Sequence, residues 1–129
     1  MSGKAVLDSN TIIDVFNSRI PLESLKQALK DTKQLISVIT EIELLSFPLI
    51  TEGQETRIKL FLAELEIVPL TEAVKRKAIE FRRKTNKKLP DSIIAATSIV
   101  SNATLITRDK ELRNVSFPGL HTMPVYPPA

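Results

Sequence analysis

Apolar positions along this chain fall into two kinds of segment: short unbroken runs, and longer stretches where they recur every three or four residues. Residues 4–7, "KAVL", form the first run and predict a buried strand. A helix from about Asn10 to Ser18 follows. Pro21 fits the first helical position of "PLESLKQALK", in which Leu22, Leu25, Ala28 and Leu29 share one face. Residues 34–39, "QLISVI", predict a second strand, and "TEIELL" then opens a helix that Pro48 interrupts or kinks. From Gly53 the helical spacing returns, with Ile58, Phe61, Leu62 and Leu65 on one face. "EIVPL" is a short strand, demoted toward an end by Pro69. Thr71 is placed to cap a long basic helix whose Val74, Ala78 and Phe81 face inward. "LPDSIIAATSIV" is apolar nearly all round, which predicts a central helix. Residues 103–107, "ATLIT", read as another strand. "HTMPVY" reads as an edge strand, since Pro124 suits only an edge, and "YPPA" as a terminal tail.

Strand, helices, strand, helices, strand, helix, helix, strand is the order of an α/β fold with a parallel sheet covered on both faces. No internal repeat, low-complexity segment or linker divides the chain, so residues 1–129 are expected to form one domain. Such a length buries roughly two-thirds of the unfolded surface and needs no staple. There is no cysteine, which excludes disulfides, thiolate nucleophiles and cysteine zinc sites and fits a reducing compartment. "MSGKAVLDSN" lacks the apolar core of a signal peptide, and no apolar run has the length of a bilayer span. A soluble cytoplasmic protein is the expectation.

Charge is distributed unevenly. Up to Leu70 there are ten acids and seven bases, and from Thr71 onward five acids and eleven bases. Eight of those bases lie in residues 75–88, "KRKAIEFRRKTNKK", against one acid, Glu80. Such a segment can meet phosphates, with Arg82, Arg83 and Lys84 at its densest point. The plainer reading is a solvated helix face, which the segment taken alone favours.

The acids raise a sharper question. In "VLDSNTIID" a buried run stops at Asp8, Ser9 and Asn10 follow, and a second acid closes the motif. Glu43 comes one turn into the helix after the second strand, Asp91 opens the central apolar helix, and Asp109 sits two residues past "ATLIT". Ligands of parallel α/β sheets gather at the carboxyl ends of strands, where all four acids are expected. Each has a structural alternative. Asp8 can cap the next helix. Thr40 and Glu43 have capping-box spacing. Asp91 can complement a helix dipole, and Asp109 can begin a turn or a short helix. If the four converge, their repulsion calls for a cation, and oxygen ligands without His or Cys suit magnesium or manganese. Such an ion stabilises charge on a phosphoryl group and activates water.

Other chemistries fit poorly. His121 is the only histidine, no serine lies in a GxSxG elbow, and His121 is read as structural or exposed. Three glycines, Gly3, Gly53 and Gly119, make no phosphate loop or dinucleotide fingerprint. Few aromatics argue against a base-stacking platform.

Four blocks in order, "VLDSNTIID", "ISVITEIELL", "LPDSIIAATSIV" and "ATLITRD", make the chain resemble the PIN domain nucleases, specifically the VapC-like toxins of toxin–antitoxin pairs. The likeness spans nearly the whole chain. It implies a PIN-like three-layer sandwich, with a central, mostly parallel sheet and helices on both faces. It also implies a magnesium- or manganese-dependent ribonuclease with Asp8, Glu43, Asp91 and Asp109 as metal ligands and catalytic acids. Thr107 resembles the hydroxyl residue that supports the family's site, with Ser9 and Asn10 beside the ligands. An RNA substrate, a cognate antitoxin and a homodimer are implied as partners. Two positions depart from the pattern: Ser46 stands where many members have glycine, and Leu112 where many have an aromatic. Both bear on subfamily and substrate rather than on the proposed ligands. A non-catalytic PIN-like module binding RNA or protein is the rival reading, disfavoured because all four acids are present. A phosphoacceptor receiver domain fits less well, since Arg108 stands where a lysine is wanted after "LIT".

Overall fold

Residues 3–124 are described by the structure, a computed structural model. Five parallel strands form its centre: β1 (Gly3–Leu7), β2 (Thr32–Ser37), β3 (Glu66–Val68), β4 (Thr104–Ile106) and β5 (Thr122–Met123), in the order β3-β2-β1-β4-β5. Alternation along each strand sends side chains to opposite faces. Ala5, Leu7, Ile36 and Ile106 pack on one side with Ile12, Leu25, Leu29, Ile58 and Leu62. These come from α1 (Ser9–Phe16), α2 (Leu22–Ala28) with the residue after it, and α4 (Glu52–Leu62). Val6, Leu35 and Leu105 pack on the other side with Phe81, Ile94, Ala95 and Leu112, from α5 (Glu72–Thr85), α6 (Leu89–Val100) and α7 (Lys110–Arg113). Between α5 and α6 lies a third cluster of Val74, Ala78, Ile93 and Ala96. The three-layer arrangement is the expected one, and every pairing in the sheet is parallel.

Several boundaries differ from those the pattern predicts. β2 ends at Ser37, and Val38 and Ile39 begin α3 (Val38–Leu45) instead of extending the strand. The cause is local: the Ser37 hydroxyl accepts the Ile39 N–H at 3.0 Å and caps the helix three residues before Thr40. A run of β-branched residues reads as strand by periodicity alone, and the cap overrides it. Pro21 lies one residue outside α2, and Leu22 is largely exposed, while Leu25 and Leu29 are buried as expected. α1 closes at Phe16, with Asn17 as its C-cap and Ser18 in the left-handed region at φ 59°. α4 has the full capping box, Thr51 with Gln54, and Thr71 caps α5 by accepting from Val74 N at 3.2 Å. α6 has the predicted bounds, and Ser92 through Ser98 are all buried. β5 is an edge strand as expected. Val125, Tyr126 and the rest of "YPPA" lie outside the described residues. Among the described residues, no helix is long and apolar enough to cross a membrane.

Candidate functional site

The chain lays β1, β2 and β3 outward in one direction and then returns to place β4 on the far side of β1. That reversal makes the carboxyl ends of β1 and β4 a topological switch point, the place where open parallel sheets bind ligands. Leu7 pairs with Ile106, so the next residues, Asp8 and Thr107, emerge side by side. The Thr107 hydroxyl donates to Asp8 Oδ2 at 2.7 Å, and Asp8 N donates to the Ile106 carbonyl at 3.0 Å. Asp8 is also the N-cap of α1, its Oδ1 accepting from Ser9 N at 2.7 Å. Its structural role and its position at the rim coexist.

Glu43 is not a capping-box residue. α3 begins at Val38, so Thr40 lies inside the helix, fully buried, and Glu43 reaches the start of α1. The Ser9 hydroxyl donates to Glu43 Oε1 at 2.6 Å and lies 3.0 Å from Thr40 Oγ1. Ser9 therefore links the first acid block to the second. Asp91 stands in the first turn of α6, half-buried. Asp109 caps α7, its Oδ1 accepting from Glu111 N at 3.0 Å and Leu112 N at 3.3 Å, while its own N–H donates to Thr107 Oγ1 at 3.0 Å. Asn10, beside Ser9, has a buried Oδ1 with no hydrogen-bond partner.

The acids feel one another. Burial raises the Asp8 pKa from 3.8 to about 6, against the lowering effect of the Thr107 and Ser9 hydrogen bonds, and the charges of Asp91 and Asp109 raise it further. Burial also raises Asp91, and Asp109 and Glu43 add repulsion while Lys88 and Lys87 oppose it. The four sequence-predicted acids thus meet in one electrostatic neighbourhood. Among the described residues, however, no three His, Cys, Asp or Glu side chains are gathered closely enough to hold one metal ion as they stand. Their oxygens are directed to the chain's own donors: both of Asp8, Oε1 of Glu43 and Oδ1 of Asp109.

Two features escaped the sequence reading. Asp14, the second acid of "VLDSNTIID", is 1 % exposed and bonded by Arg108 Nε at 2.7 Å and Arg19 Nη1 at 3.4 Å. Only tertiary structure supplies Arg108, so nothing in the local pattern marks Asp14. The bases that reach the acids are Lys87 and Lys88, at the α5–α6 junction, with Lys87 also 3.6 Å from Glu111. Arg82 and Arg83 instead border a groove with Leu70, Ile79 and Leu89, and Lys84 is exposed.

Comparison with known proteins adds the following. The family model of the PIN domain matches residues 5–118. A chain of a toxin–antitoxin complex from Klebsiella pneumoniae is similar at 29 % identity, with a TM-score of 0.74 over 95 % of this chain and 98 % of that one. A chain of DNA-bound VapBC from Salmonella typhimurium has the same fold at 19 % identity, with a TM-score of 0.82 over 97 % and 99 %. So does a chain of VapBC2 from Rickettsia felis bound to a promoter DNA fragment, at 23 % identity and a TM-score of 0.81 over 94 % and 98 %. A comparison with curated protein sequences gives no significant match.

Proposed function

Because the chain belongs to the PIN domain family, we propose that it is a metal-dependent endoribonuclease of the VapC toxin type, with Asp8, Glu43, Asp91 and Asp109 as its metal-holding acids. The observation that carries this reading is that acids from four distant segments share one neighbourhood, where burial first and the neighbouring acids second raise Asp8 and Asp91. Like charges held at partly dry positions are stabilised by a cation, and a set of carboxylate oxygens with no His or Cys suits magnesium or manganese. The unpartnered Asn10 Oδ1 is a further, neutral oxygen in the block that carries Asp8 and Ser9. When bound, such an ion supplies Lewis-acid stabilisation of a phosphodiester and a more acidic water.

The chain's own residues do the rest. Thr107 fixes one oxygen of Asp8 and the amide of Asp109, and so holds the β1 and β4 acids in step. Ser9 holds Glu43 toward them. Lys87 and Lys88 oppose the rim's negative charge, which otherwise repels an RNA backbone. The likeness to chains of toxin–antitoxin and VapBC complexes supports a cognate antitoxin as partner. A homodimer and a cytoplasmic location complete the proposal. The carboxylates' engagement with internal donors favours a second reading, a PIN-like module that binds RNA or protein without cutting it.

Incubation with total cellular RNA, in magnesium or in excess chelator, separates the two. The enzyme reading expects cleavage that needs metal and disappears in Asp8→Asn. Cleavage that persists in chelator or in Asp8→Asn contradicts it, and RNA binding without cleavage under any divalent metal selects the module.

A further inference from the structure

Asp14 is a carboxylate sealed from solvent, and the site described above makes no use of it. Each of its oxygens meets a different guanidinium: Oδ2 bonds to Arg108 Nε at 2.7 Å, and Oδ1 lies 3.4 Å from Arg19 Nη1. Arg19 is a local partner, whose backbone N–H also donates to the Asp14 carbonyl at 2.8 Å. Arg108 is distant in sequence and stands between Thr107 and Asp109, two residues at the rim. One turn before Asp14 on the same face of α1, Thr11 Oγ1 donates to the Ile106 carbonyl at 3.2 Å. Arg108 is itself held from behind, its carbonyl accepting from Arg113 Nη2 at 3.4 Å. α1 therefore grips the end of β4 and the segment beyond it at two successive points, and the second is a charge-assisted bond to a buried acid.

We propose that Asp14 and Arg108 are a positioning pair, which fixes the Thr107–Asp109 segment against α1 and thereby sets Asp109 relative to Asp8. This rests on the nuclease reading, in which the relative placement of those two acids governs the reaction. A surface ion pair stabilises little. Here one partner is buried, so the geometry is held tightly, and the pair's strength is directed at the segment that carries Thr107 and Asp109. Misplacement of a reacting constellation by about 1 Å costs on the order of a hundredfold in rate.

The test uses the full chain with Arg108→Gln, which keeps a half-exposed polar side chain, and Arg108→Lys, which keeps the charge, each checked for folding by circular dichroism. RNA cleavage is measured at saturating magnesium, well below the melting temperature, per folded molecule. The pair predicts that Arg108→Gln lowers kcat on the order of tenfold or more with KM nearly unchanged, and that Arg108→Lys recovers the larger part. A fall in melting temperature with kcat unchanged overturns the proposal, because the pair is then only structural. A rise in KM at unchanged kcat also overturns it, because Arg108 then contacts substrate. If the parent chain cleaves no RNA, the nuclease reading has failed separately, and amide exchange in chelator judges the pair. The Asp109 amide should exchange on the order of tenfold faster in Arg108→Gln, and equal exchange there overturns the proposal.

Discussion

Replacing Asp8 with asparagine should stabilise the metal-free protein at neutral pH, although Asp8 caps a helix. The ionised carboxylate is 4 % exposed and faces Asp91 and Asp109. Its pKa rises from 3.8 to about 6, and at about 1.4 kcal/mol for each pH unit the ionised folded state carries a penalty of about 3 kcal/mol. The sign follows from linkage. A raised carboxyl favours the folded state while protonated, so its contribution is fully present below about pH 4 and is lost as pH rises through about 6. Asparagine keeps the size and one acceptor for Ser9 N or Thr107, and it does not ionise. In chelator, parent and Asp8→Asn should lie within about 1 kcal/mol of each other at pH 4. At pH 8 the variant should be more stable by up to about 3 kcal/mol, roughly 10 °C in melting temperature. Urea unfolding at a series of pH values measures the difference directly. Saturating magnesium should close most of that gap, since free metal at about a hundredfold above its dissociation constant stabilises the parent by roughly 2.7 kcal/mol. A parent–variant difference that stays flat from pH 4 to pH 8 refutes the reasoning.

Glu43→Gln should fold with nearly parental stability, since Ser9 can donate to glutamine as well, yet lose most metal-dependent cleavage because the ligand charge is gone. Parental activity in this variant would remove Glu43 from the ligand set. Replacing Arg82, Arg83 and Lys84 together with glutamine should weaken RNA binding without altering sequence preference, and should flatten its salt dependence as fewer counterions are released. An unchanged affinity and salt slope would assign these residues to the solvated helix face and leave Lys87 and Lys88 as the bases that matter.

The sheet was legible because its strands are short apolar runs with opposite faces, as Ala5 and Leu7 against Val6 illustrate. α6 was legible to the residue because Pro90 and Asp91 mark its first turn and its whole length is apolar. The expectation that the acids share a rim came from topology: parallel strands deliver their carboxyl ends to one side, and Asp8 and Asp109 follow two adjacent strands. The end of β2 was misread because two hydroxyls compete for the cap. Thr40 has an acid at the right spacing, but Ser37 is the residue that accepts the helix amide. The capping-box alternative for Glu43 fell with that start. Asp14 was invisible as a buried anchor, because its charge is matched by an arginine that only the fold brings near. The nearness of Lys87 and Lys88 to the acids was hidden for a similar reason. Charge density singled out Arg82–Lys84, while the α5–α6 junction, with Asn86 left-handed at φ 57°, is what puts Lys87 and Lys88 near Asp91.

The most direct test of the central claim is the location of a bound metal. Crystals grown with manganese should show an anomalous peak at the carboxyl ends of β1 and β4, contacted by Asp8 and by at least one of Glu43, Asp91 and Asp109, directly or through water. The same peak should be absent from Asp8→Asn at the same manganese concentration. Manganese bound elsewhere, or no peak at the rim in the parent at saturating concentration, would contradict the account.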